Sequence, residues 1–240
     1  MSLSTSDEYF SYRYVFAFED GTEKIFDVRL HAATLELVRD DQTAPPDWTK
    51  LDFHPCANCP LVGKSEYCPI AVNFAHLVNE FHLTVSYEKT TVTVTAPERT
   101  YVKATTVQKG LSSILGIYMA TSNCPIMDEL RPMVRFHLPF ATPMETLFRA
   151  VSSYLTAQFF VMQEGKQPDW NLSSLIEIYK KVSTVNEGIS KRISHASQKD
   201  ANVNAVIILH SFGESIPFFI DRGLMDLEYL FSKSMRGPRA

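Results

Sequence analysis

Four cysteines are the residues of this 240-residue chain whose types and spacing could do chemistry. Three fall in one stretch: Cys56 and Cys59 with two residues between them, then Cys68 after eight more. The fourth, Cys124, sits far downstream in Ser122-Asn123-Cys124-Pro125. A two-residue arc lets the Cys56 and Cys59 sulfurs point to one side, and a third and fourth thiolate complete a tetrahedral set. Such a set suits zinc or a 4Fe–4S cluster. Cys56, Cys59, Cys68 and Cys124 are therefore read as metal ligands, with His54 and His137 as further candidates.

The compact Cys56–Cys59 pair resembles one arm of a structural zinc site. Proline follows Cys59, Cys68 and Cys124, as it follows a ligand cysteine in some ferredoxin-type runs. Proline also opens helices on its own account, so zinc is the expected metal and the cluster the alternative. Two other readings stay open: a redox couple of Cys56 and Cys59, or ordinary buried cysteines.

The elements that must hold these thiols follow from periodicity. Ile70, Phe74, Leu77 and Phe81 recur at helical spacing behind Pro69, so a helix over 69–81 has Cys68 at its N-cap. Pro125 places Cys124 as the cap of a second, shorter helix ending near Pro132. A helix N-terminus favours negative charge, so both sulfurs are expected to have depressed pKa values.

Before the cysteine loop, Phe10, Tyr12, Tyr14, Phe16 and Phe18 alternate strictly. Asp20-Gly21 then turns the chain into Phe26, Val28 and Leu30, with Leu35 and Leu37 suggesting a third strand. The aromatic stripe reads as a buried sheet face rather than a nucleobase platform. Alternation returns at Leu83, Val85 and Tyr87, at Val92 and Val94, and at Tyr101 to Thr105.

From Val107 the period lengthens to about 3.6. Leu111, Ile114, Leu115 and Tyr118 form one helix face, kept slim by Gly110, Ser112, Ser113 and Gly116. Arg131, Arg135 and His137 lie in an irregular connector and are expected to pair with Asp128 and Glu129. Thr142-Pro143-Met144-Glu145 starts a helix with a stripe of Phe148, Val151, Leu155 and Phe159. The next helix carries the seam Leu172, Leu175, Tyr179, Val182, Asn186, Ile189 and Ile193, which predicts packing on the preceding helix. A homodimer through residues 172–193 is the alternative to a monomer. A last apolar helix is expected around Leu224, Leu227 and Leu230, with residues 234–240 fraying.

The fold class is α+β: antiparallel meanders with an inserted cysteine loop and helix, then a mostly helical half. Residues 1–240 form one domain, strand-rich over 1–106 and helical over 107–240. A net charge of −4 argues against a broad nucleic-acid surface. No signal-peptide pattern is read at the N-terminus and no apolar run is expected to span a bilayer, which points to a cytoplasmic protein.

Cys56-Ala57-Asn58-Cys59-Pro60-Leu61, Tyr67-Cys68-Pro69, Glu98-Arg99-Thr100-Tyr101 and Ser122-Asn123-Cys124-Pro125 together resemble a family of uncharacterised bacterial proteins. The resemblance covers most of the chain. It implies a bacterial cytoplasmic protein with a shared cysteine pattern, and no activity. The expected function is a non-catalytic, metal-stabilised binding or regulatory protein. The alternative is a thiol-redox or iron–sulfur enzyme or sensor using Cys56 and Cys59.

Overall fold

The computed structural model describes residues 8–39 and 44–232. Four antiparallel strands form one sheet in the order β2-β1-β3-β4. They are β1 (Tyr9–Phe18), β2 (Glu23–His31), β3 (Lys89–Thr95) and β4 (Thr100–Thr106). Alternation fixes the faces. Tyr12, Tyr14 and Phe16 point inward beside Phe26, Val28 and Leu30 of β2 and Val92 and Val94 of β3, all buried.

Two helices cover that face: α1 (Pro69–Phe81) and α2 (Val107–Ala120). Phe81 of α1 packs edge-on against Phe16, ring centroids 5.2 Å apart. Then follow α3 (Pro132–Arg135), α4 (Pro143–Gln163), α5 (Ser173–Ala196), α6 (Ala201–Asp221) and α7 (Met225–Phe231). α6 packs on α2 from the side away from the sheet and α5 packs on α6, so the core runs through three layers. The fold is α+β, as its alternating and helical periods require.

Local chemistry explains the boundaries. Pro69 opens α1 with Cys68 at its N-cap. Thr142 and Glu145 form a capping box at the start of α4, which satisfies two N–H groups that would lack partners. At the start of α2, the Val107 and Gln108 amides donate to the Glu88 and Ser86 carbonyls. The strand-to-helix junction is thus closed by protein rather than left for an anion.

Several expectations are corrected. Leu35 adopts a left-handed backbone, φ 58°, and Leu37 makes only an isolated bridge to Leu30; the third strand does not form. Leu83 and Tyr87 lie exposed in turns ahead of β3. Residues 127–130 form a 3-10 turn capped by Ile126, so Cys124 is not a cap. α4 buries Leu147, Ala150 and Val151, leaving Phe148 and Phe159 exposed.

The α5 seam is buried as expected, but it lies chiefly against the following helix, α6, and not the preceding one. Among the described residues α6 is also the one helix long and apolar enough to cross a membrane, with 28% of that window buried. The sequence reading missed it. Inside the fold Asn202 of α6 donates to the Val78 carbonyl of α1. The fraying expected of residues 234–240 falls outside the described residues.

α2 meets the sheet at Gly110. A Cβ there would stand 2.6 Å from Phe16 Cε1 and 2.9 Å from Val92 Cγ2. Alanine is the better helix former by up to about 1 kcal/mol, yet overpacking costs about 1–3 kcal/mol. Gly110→Ala is therefore expected to destabilise the protein in urea unfolding; a stabilised variant would show that α2 does not press on the sheet.

Candidate functional site

The cysteine loop lies against α5. The Cys56 thiol points to the Val185 carbonyl at 3.7 Å. It also faces Gly188, where a Cβ would meet its sulfur at 2.6 Å. Asn58 donates to the Lys181 carbonyl one turn earlier. Below them Arg192, 1% exposed, reaches back into the segment before the loop. Its guanidinium donates to the carbonyls of Trp48, Lys50, Leu51 and His54. No carboxylate lies within ion-pair reach of it among the described residues, Asp52 acting only at longer range; four carbonyl dipoles hold the charge.

The expected metal centre does not form. Among the described residues, no three or more His, Cys, Asp and Glu side chains are placed to hold a metal ion, and all four cysteines are free thiols. The thiols are near enough for Cys56 to feel the charges of Cys68, Cys59 and Cys124, but Cys56 turns to the Val185 carbonyl, and Cys68 and Cys124 accept from N–H groups of their own segments. The expected pKa depression is also reversed. Burial pushes Cys56 up to about 12. It raises Cys68 against the N–H groups of Ala71 and Ile70, and Cys124 against those of Met127 and Ile126. Desolvation outweighs these N–H groups and keeps the three thiols protonated, the unreactive form for a nucleophile. The choice between zinc and a 4Fe–4S cluster has no site to act on. His54 stacks on His195, ring centroids 4.3 Å apart.

The structure instead gathers polar groups elsewhere. A cavity of about 170 Å³ lies between α2, the connector over 126–141, α4, α5 and α6. Most of its wall is apolar, with Ile117, Met127, Leu130, Val182, Leu209 and Phe212 among the lining residues. An engineered cavity of about 150 Å³ lined this way holds benzene, so the space fits one small organic molecule.

His137, Arg149 and Asn186 are the polar groups of greatest interest on this wall. Strand β1 sets the first. The Tyr12 hydroxyl donates to the Val134 carbonyl at 2.9 Å and pins the connector to the sheet. Tyr14, one step along the same face, meets His137 Nε2 at 2.6 Å and Ser113 Oγ at 3.0 Å. Ser113 is also 3.4 Å from Nε2. This trio is not an activated nucleophile. Burial takes His137 down to about 3, raises Tyr14 above the usual phenol range, and Tyr14 already occupies Nε2. Neither group transfers a proton readily near neutrality.

Arg149, on α4, donates to the Met133 carbonyl at 2.9 Å. No acidic side chain lies within ion-pair reach of it among the described residues. Burial lowers its pKa, the signature of a desolvated cation. Glu145, one turn earlier, is held in the capping box by Thr142. Asn186, on α5, is 2% exposed, and its Oδ1 is buried without a hydrogen-bond partner. Of the pairings expected of the connector's basic residues with Asp128 and Glu129, the structure shows, among the described residues, only that of Arg131 with Asp128. Arg131 pairs with Asp128 and Glu36, and Arg135 lies over the Phe10 ring. Sequence reasoning missed Arg149, which carries no local motif. It found Asn186 but assigned it to register, and it named His137 without its role.

A neutral, half-buried His137 has a consequence for stability. Below pH of about 6.5 the unfolded chain takes up a proton that the folded one refuses down to about 3. Stability from this group is full above pH of about 6.5 and falls as pH drops, by about 2 kcal/mol between pH 7 and 5. Urea unfolding of the protein and of His137→Gln at both pH values should show that extra loss only in the former. Equal losses would mean that His137 is not held neutral.

No curated protein and no solved structure matches the chain. A family comparison matches residues 10–232, from the first strand to the last helix and across both the cysteine loop and the cavity. The chain belongs to the family described as a domain of unknown function, DUF6901.

Proposed function

We propose that this protein is a non-catalytic small-molecule-binding domain whose ligand occupies the cavity between α2, the connector and α4–α6. One observation carries the reading. A mostly apolar space of about 170 Å³ has on its wall a buried acceptor, Asn186 Oδ1, with no partner among the described residues. An unsatisfied buried polar atom costs about 1–3 kcal/mol, and a ligand donor would recover it. Apolar enclosure with a few convergent polar groups is the usual form of such sites.

We further place the protein in the cytoplasm as a monomer. In support, α6 covers the seam of α5 that would otherwise serve a second copy, and α6 buries Asn202 against α1.

Ligand-observed NMR with ring compounds of about nine non-hydrogen atoms tests the reading. A Cβ at Gly213 would stand 3.6 Å from Asn186 Nδ2, an ordinary contact, so Gly213→Ala fits. Gly213→Leu projects a full side chain into the lining. Binding to the parent and to Gly213→Ala, lost in a folded Gly213→Leu, is the expected result. Saturation signals that survive Gly213→Leu would move the ligand out of this cavity.

A further inference from the structure

We infer that the ligand is a small aromatic or alicyclic monocarboxylic acid, its carboxylate on Arg149 and a hydrogen-bond donor at its far end on Asn186. This rests on the binding reading above and adds the ligand's class.

Charge carries the first half. Among the described residues, Arg149 is the only charged side chain on the cavity wall, which holds no Asp or Glu. One of its five N–H donors goes to the Met133 carbonyl, and the acid one turn away is engaged by Thr142. His137, also on the wall, is bonded to Tyr14 and brings no compensating charge. A desolvated guanidinium beside an empty apolar space selects an anion. Its planar fork suits the two oxygens of a carboxylate.

Spacing carries the second half. Tyr179 and Asn186 both line the cavity and lie seven residues apart on α5, about two turns or roughly 10 Å. Arg149 lines the same cavity from α4, so one small molecule held by the cation can reach Asn186 as well. The orphan is an acceptor, so the ligand's far group donates, as a hydroxyl or an amine does.

The test compares benzoate, benzamide and 4-hydroxybenzoate by titration calorimetry on the parent protein, Arg149→Met and Asn186→Leu. Benzamide has nearly the shape of benzoate without its charge, so the central comparison needs no variant. Benzoate should bind the parent at least about tenfold more tightly than benzamide, since hydrogen bonds to charged groups are the strong ones. That advantage should vanish in Arg149→Met. 4-Hydroxybenzoate should bind the parent more tightly than benzoate, and only to about the same degree in Asn186→Leu. Benzamide equal to benzoate on the parent would overturn the acid while leaving a cavity binder. Failure of all three probes would sink both readings.

Discussion

The buried guanidinium of Arg192 is the contact on which the arrangement of the chain depends. Residues 48–54 form only a short 3-10 turn and one isolated bridge to Tyr67, and four of their carbonyls accept from this one side chain. Removing it would leave the buried Leu51 carbonyl without that donor, at a cost of about 1–3 kcal/mol. The electrostatics are unusual in that dipoles replace a carboxylate. An acid in the same place would add a second desolvated charge, and buried ion pairs often fail to recover that cost. Arg192 thus fixes the cysteine loop on α5, and with it the entry into α1.

α5 serves two regions because its period does. Gly188 and Arg192, four residues apart, meet the loop. Tyr179, Val182 and Asn186 lie along the cavity. The helix is therefore clamped on one side by polar contacts and faces an incompletely filled space on another. Density elsewhere is high: Gly110 leaves no room for a methyl against Phe16 and Val92. A core packed so tightly beside the sheet makes the open space at α2–α6 more telling, since interiors of this kind contain few voids larger than a water.

Much of the fold was legible in the sequence, and the candidate site was not. Proline at position 69 followed by a clean three-four spacing identifies α1, and strict alternation around Asp20-Gly21 identifies β1 and β2. Those signals are local, so they survive without knowledge of the rest. Errors came where tertiary packing decides. The α4 stripe was read through Phe148, Val151, Leu155 and Phe159, whereas packing keeps Val151 and buries Leu147 and Ala150 in place of the two phenylalanines. Cysteine spacing permitted a tetrahedral site, but among the described residues the fold does not bring the side chains together to hold a metal ion. The cavity wall comes from five segments, each ordinary by itself. Only Asn186, a polar residue in an apolar seam, signalled it from the sequence, and register was the competing explanation.

A crystal structure of the protein grown with 4-hydroxybenzoate tests the central claim most directly. The expected result is one molecule inside the α2–α6 cavity, its carboxylate within about 3 Å of Arg149 and its hydroxyl donating to Asn186 Oδ1. A cavity filled by collapsed side chains, with the acid held on the surface or nowhere, would contradict it.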